Sequence, residues 1–362
     1  MVSWQKRSIL RFEVIGVHPM VETFMENKNA SDEELRHFLF DEDPLLREEL
    51  FAAARQVRHE HYGHDVFVRG LIEVSNICRN DCYYCGIRRS NRAAERYHLS
   101  DEEILVCCAV GYELGIRTFV MQGGEDPGFH DLRLASLIRK IKEEYPDCAV
   151  TLSLGERSEE VYQLLFEAGA DRYLLRHETI VEEHYRQLHP DSLSLSHRIR
   201  CLEQLKAIGY QVGCGMMVGS PYQKPEYLLE DLRFLQRFRP HMVGIGPFLP
   251  HHDTPFAAEP PGSSELTLRL LAVIRIMLPL VLLPATTALA TAAEDGREAG
   301  ILAGANVVMP NLSPPGVRKK YMLYDNKRSF GKEAAEGMAM LKSSMEKIGY
   351  TVVCSRGDCL YH

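Results

Sequence analysis

The chain lacks the features that mark several large protein classes. Its opening stretch, "MVSWQKRSILRFEVIGVHPM", has dispersed charges and no apolar run of signal-peptide length, so a cytoplasmic location is expected. No clean membrane span appears either. The most apolar stretch, "LAVIRIMLPLVLLPATTALA" (271–290), carries Arg275, Pro279 and Pro284, and reads as a buried helix running into a buried strand. An excess of positive charge is also missing: 42 basic and 50 acidic residues leave a net charge of −8. That balance argues against broad nucleic-acid binding and leaves a small molecule or a protein as the expected partner. Low-complexity tracts and internal repeats are absent. What remains, 362 residues at 45% apolar and 25% charged, is the composition of a globular chain long enough for one large domain. Ten cysteines without an export signal are expected as thiols or ligands rather than disulfides.

The pattern along the chain changes near Val66. Before it, "SDEELRHFLF" begins with a Ser31 cap and an acidic turn, and "PLLREELFAAARQVRHEHYG" places apolar residues at helical spacing up to Gly63. After it come short apolar, β-branched runs at 66–74, 118–122, 149–154, 172–176, 211–218, 242–246, 281–285 and 306–309, separated by amphipathic segments. Eight alternations predict an α/β fold, a (β/α)8 TIM-type barrel over residues 63–322. An N-terminal helical segment (1–62) packs on it, and a short helical C-terminal extension (323–362) follows. The terminal helices are expected to close the barrel bottom.

Chemistry in such a barrel belongs to the loops at the carboxyl ends of the strands. The unusual residues fall there: "CRNDCYYC" after the first strand, "GGED" after the second, "GE" after the third and "HET" after the fourth. "GSP", "PFLPHHDTP", "TT" and "PN" follow the remaining four.

The cysteine run poses a question of number. Structural zinc and electron-carrying [4Fe–4S] sites normally take four protein ligands, whereas Cys78, Cys82 and Cys85 supply three. No other cysteine offers an evident fourth: Cys107, Cys108 and Cys201 fall in predicted helices, and Cys148 and Cys214 at strands. A cluster held by three thiolates leaves one iron open to a reactant.

This CxxxCxφC run, with Tyr84 in the aromatic place, resembles the signature of the radical S-adenosylmethionine (radical SAM) superfamily. The resemblance implies a [4Fe–4S] cluster on the three cysteines and SAM chelated by the open iron. It also implies reductive cleavage of SAM to methionine and a 5′-deoxyadenosyl radical, shielded from water and oxygen by the protein. Gly123, Gly124 and Glu125 of "GGED" resemble the motif that holds the methionine ammonium.

Further stretches, "TLSLGE", "AGADRYLLRHET", "GIGPFLPHHDTP", "LPATTALA" and "GANVVMPN", resemble the HydE family of [FeFe]-hydrogenase maturases over about residues 60–325. Biotin synthase and methylornithine synthase look like more distant relatives. Carried over by position, the likeness implies Arg176 and Glu178 as ligands of SAM's carboxylate and ribose, with Ser153, Glu156 and Arg198 in the same pocket. A guanidinium suits a carboxylate because its fork binds both oxygens. Arg172, Thr286 and Thr287 would sit deeper, with anions and substrate. The implied substrate is a small organometallic molecule, a cysteine-bound iron carbonyl cyanide complex. A reductant protein and other maturation proteins are the implied partners, with no nucleic acid and no membrane. His177, His251 and His252 read as structural or loop residues.

Some family members carry an accessory cluster after the last strand. Here only Cys354 and Cys359 of "CSRGDC" are available, so one cluster is expected. Two other readings stand beside the maturase: a small-molecule radical SAM mutase resembling methylornithine synthase, and a noncatalytic scaffold that passes on an iron complex.

Overall fold

The computed structural model describes residues 18–328 and 334–361; the expectations for 1–17 and for part of the "YDNKRSFGKEAAEG" stretch lie outside the described residues. Among the described residues three helices, Pro19–Asn27, Asp32–Phe40 and Pro44–Tyr62, precede the first strand. Ser31 caps the second through a full capping box with Glu34. The third packs against the helix Ser264–Met277.

Eleven strands follow: β1 (Asp65–Val68), β2 (Gly70–Ser75), β3 (Thr118–Gly123), β4 (Ala149–Ser153), β5 (Arg172–Leu174), β6 (Gln211–Cys214), β7 (Met217–Val218), β8 (Met242–Val243), β9 (Gly246–Pro247), β10 (Val307–Val308) and β11 (Thr351–Val353). A six-stranded parallel sheet runs β2-β3-β4-β5-β6-β8, with helices in the connections. Parallel bridges complete the ring, from Met242 to Leu282, from Pro284 to Val307 and from Asn311 back to Leu71. The expected strand at 281–285 is reduced to these bridges because Pro284 has no N–H to give a ladder.

Alternation along the strands separates two environments. Ile72, Val74, Phe119 and Met121 belong to the large core shared with the surrounding helices. The intervening residues face the lumen. Near the mouth Glu73, Gln122 and Ser153 lie side by side in register. Near the floor Met242, Leu282 and Val307 make a separate apolar cluster with Tyr62 and Cys359. The wall at β6 and β8 carries glycines of two kinds: a Cβ on Gly213 would meet Leu174 Cδ1 at 2.7 Å and Met242 at 3.0 Å, whereas one on Gly244 would meet nothing nearer than 3.9 Å. A barrel is ordinarily filled by branched side chains, so a wall of glycines leaves room for a ligand.

The C-terminal extension is helical over Ala334–Lys347, then adds β11, which pairs parallel with β1 and was not expected. Beyond β11 the tail crosses the barrel floor. Arg172 corrects an expectation here. It is deep, as foreseen, but its guanidinium donates to Asp358 Oδ1 (2.5 Å), the Arg356 carbonyl (2.8 Å) and Thr118 Oγ1 (3.2 Å). It lies at the amino end of β5, so it ties tail to floor rather than meeting a substrate below the mouth.

Candidate active site

The loop from Asn76 to Tyr97 leaves β2 and returns beside it, closed at its base by an antiparallel bridge between Ser75 and His98. Arg96 holds this excursion together. Its two terminal nitrogens donate to the carbonyls of Asn76 (2.6 Å), Ile87 (2.8 Å), Arg88 (2.6 Å) and Asn91 (2.9 Å), spanning both ends of the cysteine run. Inside the loop Asp81 accepts from Arg88 (2.7 Å) and Ser90 (2.6 Å), and Arg88 holds its carboxyl well below the usual range.

Cys78, Cys82 and Cys85 are half-buried on this loop. Burial raises all three thiols, reinforced by neighbouring sulfurs at Cys82 and Cys85 and by Glu125 at Cys78, and it pushes Cys85 up to about 12. As thiolates they would need strong positive charge beside them, which iron supplies. Among the described residues, only His251, His252 and Asp325 gather three metal-type ligand atoms within 4.8 Å of one another. The three sulfurs do not all lie within 4.8 Å of one another, so they are not gathered around a single-ion site. Hydrogen bonding accounts for the histidine set: His251 Nδ1 accepts the Asp253 amide (3.1 Å), so in neutral His251 the proton lies on Nε2. His252 Nδ1 pairs with Asp325 at 2.7 Å.

The end of β3 approaches the cysteine loop closely. A Cβ on Gly124 would stand 2.2 Å from the Ile77 carbonyl oxygen and 2.7 Å from Cys78 Cβ, so glycine is required there. Gly123 ends β3 opposite Ser75. Glu125 follows, buried, accepting from Arg79 Nε (2.9 Å) and from the Glu156 amide (2.9 Å). Gly155 makes this possible, since a Cβ there would lie 2.1 Å from Glu125 Cγ.

From Glu125 the polar chain continues along the rim. Glu156 Oε1 accepts from Arg198 Nε at 2.5 Å, and Arg198 Nη1 donates to the Arg176 carbonyl at 2.6 Å. Arg176 reaches the Met216 carbonyl (3.0 Å) and lies 2.9 Å from Glu178, while its buried Nε has no partner among the described residues. Glu178 takes φ +65°, a left-handed backbone uncommon outside glycine. It is held there by its amide on the Gly215 carbonyl and by its own carbonyl, which accepts from Met217. Ser153 stands at the end of β4 below this chain. Five of the expected residues, Glu125, Glu156, Arg176, Glu178 and Arg198, thus form one continuous network.

The other expected residues are more scattered. Tyr84 hydrogen-bonds His189 Nε2 (3.2 Å) and packs against a small apolar cluster of Leu188, Met217, Phe248 and Phe256. Thr286 caps the helix Thr287–Ala292 while donating to the Ile245 carbonyl (3.2 Å), and Thr287 begins that helix. His177 is fully buried, with Nε2 3.2 Å from Asp231 Oδ1. Arg172 is on the floor. Sequence reasoning missed Arg96, and also a mouth group in which Glu73 accepts from Lys327 and from Asn311 (2.9 Å). A buried glutamate inside an apolar strand was the available signal for the latter.

Three cysteines in a CxxxCxφC run on the loop after the first strand of a β/α barrel mark the chain as a radical SAM enzyme. Residues 72–235 match the Radical SAM superfamily. The chain is 44% identical over 303 residues to the [FeFe] hydrogenase maturase subunit HydE of Thermotoga maritima, covering 84% of this chain and 86% of that one. It belongs to the HydE family. It is also 30% identical to 3-methylornithine synthase of Methanosarcina barkeri, over 89% of each chain. The crystal structure of methylornithine synthase (PylB) superposes with a TM-score of 0.79 at 27% identity, covering 92% of this chain and 97% of that chain. The chain is therefore a radical SAM enzyme of the hydrogenase-maturase type, a family that uses a [4Fe–4S] cluster and SAM. No helix among the described residues is long and apolar enough to cross a membrane.

Proposed function

We propose that this enzyme acts on a cysteine-bound iron carbonyl cyanide complex during assembly of the diiron site of [FeFe] hydrogenase. Cys78, Cys82 and Cys85 would hold the cluster. Once bound, cluster and SAM supply a one-electron cleavage that yields the 5′-deoxyadenosyl radical. The chain's own residues bind, orient and shield. Gly123, Gly124 and Glu125 would present carbonyls and a carboxylate to the methionine ammonium. Arg176, whose buried Nε is unpartnered, would take the methionine carboxylate, and Glu178 the ribose. Ser153, Glu156 and Arg198 would support that pocket, with Tyr84 packed at its edge.

The substrate would lie deeper, against the glycine wall and the Thr286/Thr287 turn. The observation that carries this reading is the 44% identity to a HydE maturase over most of both chains. The maturase relative also motivates a protein partner that hands over the iron complex. The likeness to methylornithine synthase supports a second reading, an amino-acid mutase.

The test is 5′-deoxyadenosine formation by anaerobically reconstituted, dithionite-reduced enzyme. It compares the iron complex, lysine and no addition. Stimulation by the iron complex alone supports the maturase; stimulation by lysine alone selects the mutase. With intact cluster and bound SAM, no product under any condition would point to a scaffold.

A further inference from the structure

The cysteine loop is basic in a chain that is not. Between Asn76 and His98 lie Arg79, Arg88, Arg89, Arg92 and Arg96 against Asp81 and Glu95, a surplus of three positive charges where the chain carries −8. Most of these charges are already engaged. Arg88 pairs with Asp81 (2.7 Å), Lys320 with Glu95, Arg79 with Glu125 (2.9 Å), and Arg96 serves four carbonyls. Both acids of the loop are thereby neutralised. Arg89 and Arg92 are exposed, and among the described residues neither side chain has a hydrogen-bond or ion-pair partner. Lys319, beside the Lys320 that takes Glu95, is exposed in the same way.

The backbone that carries Arg89, three residues before Arg92, backs onto the cysteines. The Arg89 amide donates to the carbonyl of Asn80, between Cys78 and Cys82, at 2.8 Å. The Arg88 amide donates to the carbonyl of Cys85 at 3.1 Å. A protein seated on this segment is separated from the cysteines by little more than one loop, and electron transfer weakens steeply with distance. Unpaired exposed arginines serve no purpose in holding the fold, since a surface cation without a partner contributes little to stability. They do steer an oppositely charged partner to one face.

We infer that the Arg89/Arg92 face of the cysteine loop is the docking surface for an acidic one-electron carrier protein that reduces the group held by Cys78, Cys82 and Cys85. The inference rests on the radical SAM reading above and assigns a docking face and a charge to the reductant protein that the family resemblance implies. Each productive encounter moves one electron: the carrier is oxidised by one, the cluster passes from its 2+ to its 1+ state, and no bond forms or breaks.

The experiment mixes cluster-loaded protein with the hydroquinone of a net-negative flavodoxin in a stopped-flow instrument and follows cluster bleaching against ionic strength. Binding of the oxidised flavodoxin is measured separately by titration. Wild type should lose rate and affinity as salt rises. The double variant Arg89→Glu/Arg92→Glu should bind at least about tenfold more weakly, reduce correspondingly slowly and show a flattened salt slope. The charge-keeping pair Arg89→Lys/Arg92→Lys should behave as wild type. Dithionite, which needs no docking, should reduce all three proteins alike at equal iron content. Unchanged carrier kinetics in the Glu variant would overturn the proposal, and so would an equal loss with dithionite. Salt-dependent reduction without any 5′-deoxyadenosine would support the docking face and count against the catalytic reading.

Discussion

Arg172, in the strand β5, donates to Asp358, in the C-terminal tail, at 2.5 Å, and so joins the middle of the barrel to the last segment of the chain. The guanidinium is fully buried and the carboxylate is partly open to water. Asp358→Asn should therefore destabilise the fold by about 1–3 kcal/mol, less than for a fully enclosed pair. Thermal unfolding would record it, and SAM affinity should not change. An altered substrate response with unaltered stability would contradict the tie. The pH dependence follows: burial opposes ionisation of Asp358, but Arg356 and Arg172 prevail and hold its pKa at about 2. A depressed carboxylate contributes stability that is complete above its unfolded value, 3.8, and is lost as pH falls through about 2.

Cys82→Ala should abolish the site-differentiated cluster, read as iron content and as the loss of SAM cleavage. Arg96→Ala should do nearly as much without touching a ligand, because four loop carbonyls lose their donor at once. Arg96→Lys, which keeps the charge but not the fork, should recover only part of the iron. Normal iron content in the alanine variant would refute this role.

Arg176→Ala should weaken SAM binding by about 10- to 100-fold, the worth of a charge-assisted hydrogen bond, while leaving cluster assembly intact. Equilibrium binding of SAM to the reconstituted protein measures this.

Thr286→Val removes a lumen hydroxyl and a helix cap together, so Thr286→Ser serves as its partner. Valine should lower substrate-stimulated 5′-deoxyadenosine formation more than SAM affinity and cost about 1 kcal/mol of stability; serine should restore both. Equal losses of SAM and substrate response would contradict the proposed depth.

Asp231→Asn strikes the site from behind. Asp231 is buried against His177 (3.2 Å) and accepts the Ile180 amide at 2.6 Å, and it thereby braces the turn that carries Arg176 and Glu178. The variant should weaken SAM binding although it contacts no ligand. A stability loss with unchanged SAM affinity would confine the pair to folding.

The barrel was legible because its signals are local. Alternating apolar runs and capped helices repeat along the chain, and Cys78, Cys82 and Cys85 sit within one short run. Glu125, Glu156 and Glu178 were legible as loop residues after consecutive strands and Arg176 at the end of the strand before Glu178, their roles coming from the family resemblance, though their shared network appears only in three dimensions. Arg172 shows the limit: sequence places it on a strand, but only the tail crossing the floor occupies its guanidinium. β11 was missed because "TVV" is too short to announce a strand until β1 supplies its partner. Arg96 was missed for a similar reason, since its acceptors are carbonyls and any residue has one.

The bare wall at Gly244 has a consequence for what the enzyme could be made to accept. Gly215 and Gly155 have positive φ and resist any side chain, whereas Gly244 carries no such constraint and a Cβ there would meet Leu174 and the Cys214 carbonyl only at ordinary contact distance, 3.9 and 4.0 Å. Methyl by methyl, Gly244→Ala and then Gly244→Val would shrink the chamber from one side without disturbing the rim that grips the cofactor. If the reactant lies where proposed, discrimination by size could be retuned independently of radical generation, with a smaller reactant selected at a single codon.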